Sequence, residues 1–236
     1  SSNHHFSQGL IRPNVPALIE IGGIQIKEKP DPLPQDLADI LNLASEGIIY
    51  FSFGSSIQGY HISPEKAQII FRVFSKLPYR VLMIWHDSDY PGEKAENIIN
   101  REWLPQDDIL AHTNVKLFVT HGGQGSVVES QYHGVPMVGV AFCGDQPANM
   151  GKVQRSGFGL SLEYSALTEE SFRETIWEVL NNAKYREVMP NIQRCSKLYR
   201  DRPMTSRQLV RYWVDYVIRH NGAKHIQSPA VHMTWW

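Results

Sequence analysis

The apolar positions of this chain switch repeatedly between helical spacing and unbroken strand-length runs. Leu37, Ile40, Leu41 and Ala44 fall at helical spacing, and Ile48 to Phe53 form a continuous apolar run. Ser63 stands where it can cap a second helix, whose apolar set is Ala67, Ile70, Phe71 and Phe74. Arg80 to Trp85 reads as the next strand, and the segment around Ile98-Ile99 as another. Val115 to Thr120 is apolar and β-branched, the mark of a buried strand. Val127 to His133 runs without a breaker until Gly134 and Pro136, so it reads as a helix ended by them. Pro136 to Phe142 is a further apolar strand and Gly159 to Leu162 a last short one. Thr168 caps a helix with Glu169 and Glu170 in its first turn, where the helix dipole favours acids. Strands alternating with helices predict an α/β fold: a doubly wound parallel sheet with helices on both faces. Ligands of such sheets bind beyond the carboxyl ends of the strands.

The two ends of the chain read differently. Residues 1–23 are irregular and rich in His, Pro and Asn, and Lys27 to Pro34 is a charged, proline-rich linker. Near the other end, Leu209, Tyr212, Trp213, Tyr216 and Val217 follow i, i+3, i+4, i+7, i+8. That is an amphipathic stripe, whose default expectation is packing on the domain. The divisions expected are 1–23, 24–202 and 203–236.

Composition narrows the function classes. Hydrophobic residues make up 42% of the 236, enough for a sizeable core, and the net charge of −1 comes without a run of Lys and Arg. That argues against nucleic acid as a main partner. Cys143 and Cys195, the two cysteines, cannot define a disulfide framework, and no His/Cys cluster suggests zinc. No apolar stretch approaches the ~18 residues of a membrane span.

The candidate chemistry is concentrated between Trp103 and Asn149. His121-Gly122-Gly123-Gln124-Gly125-Ser126 lies between a strand and a helix. Such a glycine-rich turn lets backbone N–H groups approach an anion at the positive end of the helix dipole. His121 and the Ser126 hydroxyl can donate to phosphate oxygens, and the Glu129 carboxylate can accept the hydroxyls of a ribose. The plainer reading is a tight turn with a surface Glu. Trp103 precedes Pro105-Gln106, so its indole stands at a loop edge where it can stack on a base; for an isolated Trp the plainer reading is core. Asp145-Gln146-Pro147 ends an apolar run and offers a carboxylate and an amide to a hexose. Asp145 also reads as a helix N-cap.

Taken together, Trp103-Leu104-Pro105-Gln106, Thr120-His121-Gly122-Gly123, Glu129, and Tyr132-His133-Gly134-Val135-Pro136 through Asp145-Gln146-Pro147 resemble the signature of the UDP-glycosyltransferases. Ile49 to Ser55 and Asn221 to His225 extend the likeness over nearly the whole chain. The resemblance implies the C-terminal, donor-binding, Rossmann-like domain of the GT-B fold. It implies that Trp103 stacks on uracil and the Leu104 backbone pairs with its edge. Gln106 and Glu129 would hold the ribose. His121, the turn from Gly122 and Gly123 through Gly125 to Ser126, and Ser55 would hold the diphosphate, and Asp145 and Gln146 the sugar.

Two departures stand out: Gly125 replaces an Asn common in the family, and Ile84 stands where many animal members carry Lys or Arg, with His86 close by. The implied donor is UDP-glucose or another UDP-sugar, glucuronate being the alternative sugar, and the acceptor a small lipophilic molecule in a detoxification setting. No metal and no cofactor are expected. The catalytic base of the family, a His oriented by an Asp, belongs to an N-terminal acceptor domain, so no catalytic residue is expected in this chain. Residues 1–23 then read as the connection from that domain, and 203–236 as an amphipathic helix and pre-membrane segment. The chain reads as a piece of a longer, membrane-anchored protein of the endoplasmic reticulum lumen, the piece itself soluble. With the N-terminal domain absent, part of the C-terminal stripe is expected to be exposed and to drive self-association.

Three rival readings stand beside this one. Asp87-Ser88-Asp89 has the D-x-D form of metal-dependent transferases, a weak signal on its own. An NAD(P) oxidoreductase domain lacks support, because no strand-to-helix turn carries G-x-G-x-x-G. A non-catalytic nucleotide-sugar-binding module is the third.

Overall fold

The computed structural model describes residues 14–55, 57, 61–182 and 196–234. Six parallel strands form one sheet: β1 Ile48–Ser52, β2 Arg80–Ile84, β3 Ile98–Arg101, β4 Val115–Thr120, β5 Met137–Ala141 and β6 Gly159–Glu163. Their spatial order is β3-β2-β1-β4-β5-β6, the doubly wound order that reverses direction between β1 and β4. The connecting helices are α1 Gln35–Asn42, α2 Pro64–Ser75, α3 Gln106–Leu110, α4 Gln124–His133, α5 Gln146–Arg155 and α6 Glu169–Asn181.

Both faces of the sheet are buried, which is why the strands read as continuous apolar runs rather than alternating ones. Ile49, Phe51, Val81, Met83, Leu117 and Val119 point to the layer made by α2 and α6. Ile48, Tyr50, Leu82, Phe118 and Met137 point the other way, to α1, α3, α4 and α5. Each fully buried side chain of this size contributes roughly 1.5–3 kcal/mol. Ser63 caps α2 by accepting from the Lys66 amide, and Thr168 caps α6 in a reciprocal box with Ser171, as expected.

Three expectations need correction. The helix after the glycine turn starts at Gln124, not Val127, because extended Gly123 serves as its N-cap and Gly125 and Ser126 are already helical. The Lys27–Pro34 stretch is docked rather than loose. The Lys27 amide donates to Asp107 Oδ2 at 2.8 Å and the Asp31 amide to Asp108 Oδ1 at 2.8 Å. On the C-terminal helix, Ser206–Arg219, full packing of the stripe fails: Leu209, Trp213 and Tyr216 are half-buried and the rest of the stripe is exposed, as the expectation of partial exposure had it. Ser206 is its only buried residue, while Tyr212 and Val217 are exposed. Its first turn is tied down, Ser206 Oγ donating to Gly22 O at 2.9 Å and Arg207 Nε to Ile24 O at 3.1 Å. Among the described residues no helix is long and apolar enough to cross a membrane. Cys195, His4, His5, Trp235 and Trp236 lie outside the described residues.

Candidate functional site

The carboxyl ends of β1, β4 and β5 lie side by side, Ser52 in register with Thr120 and Thr120 with Gly139. The turns leaving these three strands carry most of the residues singled out above. They form two clusters that touch.

The first cluster surrounds a cavity of about 550 Å³. Ser55, Trp103, Leu104, Gln106 and Glu129 all line it. Trp103 is 74% exposed, so the core reading of this indole fails, and its face is available to a planar ligand. Leu104 buries its side chain, which leaves its main chain as the part that can face the cavity. Gln106 opens α3, and its Nε2 donates to Glu129 Oε2 at 2.6 Å and to Ser126 Oγ at 3.2 Å. Tyr50 Oη donates to Gln106 Oε1 at 3.4 Å. Burial raises the Glu129 carboxyl above its ordinary range, and the Gln106 hydrogen bond opposes the rise. A half-desolvated carboxylate can accept from a pair of adjacent hydroxyls while the amide beside it donates to them. Ile84 and His86 also line the cavity, with His86 Nδ1 3.6 Å from Glu102 Oε1.

The second cluster is the glycine turn between β4 and α4. Gly122 has φ +83°, and a Cβ there would lie 2.5 Å from Met150 Cγ, so glycine is required on both counts. His121 folds back over its neighbours: a Cβ on Gly123 would meet its Nε2 at 2.4 Å, and one on Gly54 its Cε1 at 2.8 Å. Through Gly54, His121 touches the wall of the first cluster. Burial pushes the His121 imidazole below its ordinary value, against the pull of the Asp145 charge. Gly125 differs from its neighbours, since a Cβ there would find only Gln25 Nε2, 4.0 Å away. Ser126 is buried and already engaged by Gln106, so it joins the two clusters.

Asp145 and Gln146 start α5. Asp145 makes no side-chain cap, against that plainer reading; its Oδ2 instead accepts from Asn149 Nδ2 at 2.7 Å. The same Asn149 amide donates to Gly122 O at 3.1 Å, tying Asp145 to the turn. Gln146 Oε1 accepts the amides of Phe142 at 2.9 Å and Cys143 at 3.2 Å, so part of its polar capacity shapes the loop itself. The D-x-D pair lies on a single 3-10 turn, Asp87–Asp89, and Asp87 is bound by Asn100 at 2.8 Å and Lys94 at 2.5 Å. Those two partners hold the Asp87 carboxyl below its usual range.

Lys27, Asp107, His133 and Asn149 also shape the site, although the sequence assigns none of them a role in it. Asn149 is visible in principle, four residues after Asp145 on one helix face. Lys27 has one local partner, Asp31 at 2.7 Å, but its partners at the site are 80 and 81 residues away and leave no signal beside it.

The chain matches the family described as "UDP-glucoronosyl and UDP-glucosyl transferase" over residues 3–236. It is 40% identical over 234 residues to UDP-glycosyltransferase UGT5 of Dactylopius coccus, covering 99% of this chain and 44% of that protein. It is 38% identical over 226 residues to human 2-hydroxyacylsphingosine 1-beta-galactosyltransferase, covering 94% and 40%, respectively. Rabbit UDP-glucuronosyltransferase 2B14 is 33% identical over 227 residues, covering 95% and 41%. The chain thus spans less than half the length of these relatives. Among solved structures, the glycotransferase of kitacinnamycin resembles it in fold, with a TM-score of 0.58 at 22% identity over 81% of this chain and 45% of that one. The sheet order, the turn at its switch point and the match along the chain agree: this is a Rossmann-like α/β unit of GT-B type, and the chain belongs to the UDP-glycosyltransferase family.

Proposed function

We propose that this chain is the UDP-sugar-binding part of an inverting UDP-glycosyltransferase that moves a hexose, glucose before glucuronate, to small lipophilic acceptors. The observation that carries the reading is one cavity combining an exposed indole with a half-buried Glu129–Gln106 pair, beside a glycine turn at a helix N-terminus. In this reading uracil stacks on Trp103 and pairs with the Leu104 main chain. The ribose diol meets Glu129 and Gln106. The diphosphate lies against Ser55, His121 and the first turn of α4, so no metal or cofactor is needed to hold it. Asp145 and Gln146 face the sugar.

The acceptor then attacks the anomeric carbon in line while the bond to the UDP oxygen breaks. The α4 N-terminus and His121 stabilise the charge that develops on UDP, where preorganised donors act most strongly. The base that deprotonates the acceptor comes from outside this chain. For the whole protein the reading extends to detoxification in the endoplasmic reticulum lumen, the setting the family resemblance implies.

Calorimetric titration with UDP, UDP-glucose, UDP-glucuronate and NADH tests it. UDP and the UDP-sugars should bind and NADH should not. Absence of UDP binding, or NADH binding as tight, overturns the reading. Glycosylation of a simple phenol by this chain alone would overturn the placement of the base.

A further inference from the structure

Gln106 opens a helix of only five residues that has no side-chain cap. A helix this short does not hold itself, so its orientation comes from its ties. Asp107 supplies two of them. Its Oδ1 accepts from His133 Nε2 at 2.6 Å and its Oδ2 from the Lys27 amide at 2.8 Å. The His133 side chain is 3% exposed and that of Asp107 14%, so water competes little for this pair. Burial raises the Asp107 carboxyl, but the bonds from His133 and the Lys27 amide outweigh it and hold it below its ordinary range. Asp108 adds a second hold on the same strap through Lys27 Nζ at 2.6 Å. Asp107 borders the cavity, but both its oxygens are engaged within the fold, one by His133 and one by the Lys27 amide, so its hold is on the position of its neighbour Gln106.

On α4, Ser126, Glu129 and His133 follow i, i+3, i+7 and share a face. Gln106 grips the first two and Asp107 the third. A diol arriving at Glu129 competes for the oxygen that Gln106 Nε2 now occupies. Once that bond is shared, the Asp107–His133 pair at 2.6 Å and the longer Gln106–Ser126 bond at 3.2 Å are the direct side-chain links that remain between the start of α3 and this face of α4 among the described residues.

We propose that Asp107, clamped by His133 and the Lys27 amide, is a positioning residue that keeps Gln106 and Glu129 at the spacing that reads the ribose diol of the donor. The proposal rests on the reading of Gln106 and Glu129 as the ribose contacts. Its test is the ratio of Kd for 2′-deoxy-UDP to that for UDP, measured by calorimetry on the 236-residue chain and on Glu129→Ala, Asp107→Ala and His133→Phe. Both ligands draw on the same folded population, so the ratio is indifferent to lost stability. The unaltered chain should favour UDP by at least about tenfold, the effect of one charge-assisted hydrogen bond. All three variants should bring the ratio toward one. His133→Phe fills the buried volume without a ring nitrogen, so it carries the test if Asp107→Ala does not fold, and the reverse holds too. A full ratio in Glu129→Ala, or none in the unaltered chain, removes the ribose reading and this proposal with it. A ratio lost in Glu129→Ala but kept in Asp107→Ala or His133→Phe overturns the positioning role alone.

Discussion

The two clusters of the site are built by opposite means. Around the cavity, position is set by side chains that hold one another: Gln106 on Glu129 and Ser126, His133 on Asp107, Lys27 on Asp108. At the glycine turn, position is set by the missing side chains of Gly122, Gly123 and Gly54, into whose space Met150 and His121 pack. The first kind of site fails gradually, one contact at a time. The second fails at the backbone of Gly122, where φ is +83° and an added Cβ would meet Met150.

The largest expected effect breaks the turn. Gly122→Ala combines a strained φ of +83° with a Cβ 2.5 Å from Met150 Cγ. It should destabilise the fold by about 2–4 kcal/mol, read by urea or thermal unfolding.

Next comes the cavity. Trp103→Ala should cost about 1–3 kcal/mol of UDP binding, the range of a base–aromatic stack. Because the indole is 74% exposed, the unfolding midpoint should barely move. Normal UDP affinity in the variant would remove the stacking role.

A smaller effect is pH-dependent. Burial keeps His121 below its ordinary value of 6.5, hence neutral at pH 7 before ligand arrives. A diphosphate beside it pulls the imidazole up, so binding takes up a proton between the free and bound pKa values. UDP affinity should therefore rise as pH falls through the bound pKa and level off below the free one. The total gain is about tenfold for every pH unit that separates the two values. His121→Gln keeps the titration of UDP itself and should lose this component. Calorimetry in buffers of different ionisation enthalpy measures the proton directly.

The smallest effect sharpens the contrast within the turn. Gly125 is helical, with only Gln25 Nε2 near its would-be Cβ. Gly125→Ala should be neutral or stabilise by about 0.5–1 kcal/mol. A large destabilisation would mean that the turn tolerates no side chain anywhere, and the distinction from Gly122 would disappear.

Much of this molecule is legible in its sequence, for definite reasons. Parallel strands buried on both faces are continuous apolar runs, so β1, β4 and β5 announce themselves. Caps such as Ser63 and Thr168 act within four residues, and local chemistry is visible locally. What stays hidden acts across the fold. Asp107 finds its partners 26 and 80 residues away, and nothing beside it in the chain predicts either. The C-terminal stripe shows the opposite limit: its period is helical, but period alone does not say whether a surface is there to receive it. The helix α4 begins three residues before its apolar pattern does. Gly125 counts against a helix by propensity, while the N-cap at Gly123 decides in its favour.

The exposure of Trp103 and Asp145 has an evolutionary consequence. Residues that would touch base and sugar project from strand ends and contribute little to the core, so exchanging them costs little folding stability. The turn that would take the diphosphate is locked into the packing of Met150. Drift in such a lineage would therefore run outward, changing which sugar or base is preferred before the nucleotide's phosphates could ever be abandoned.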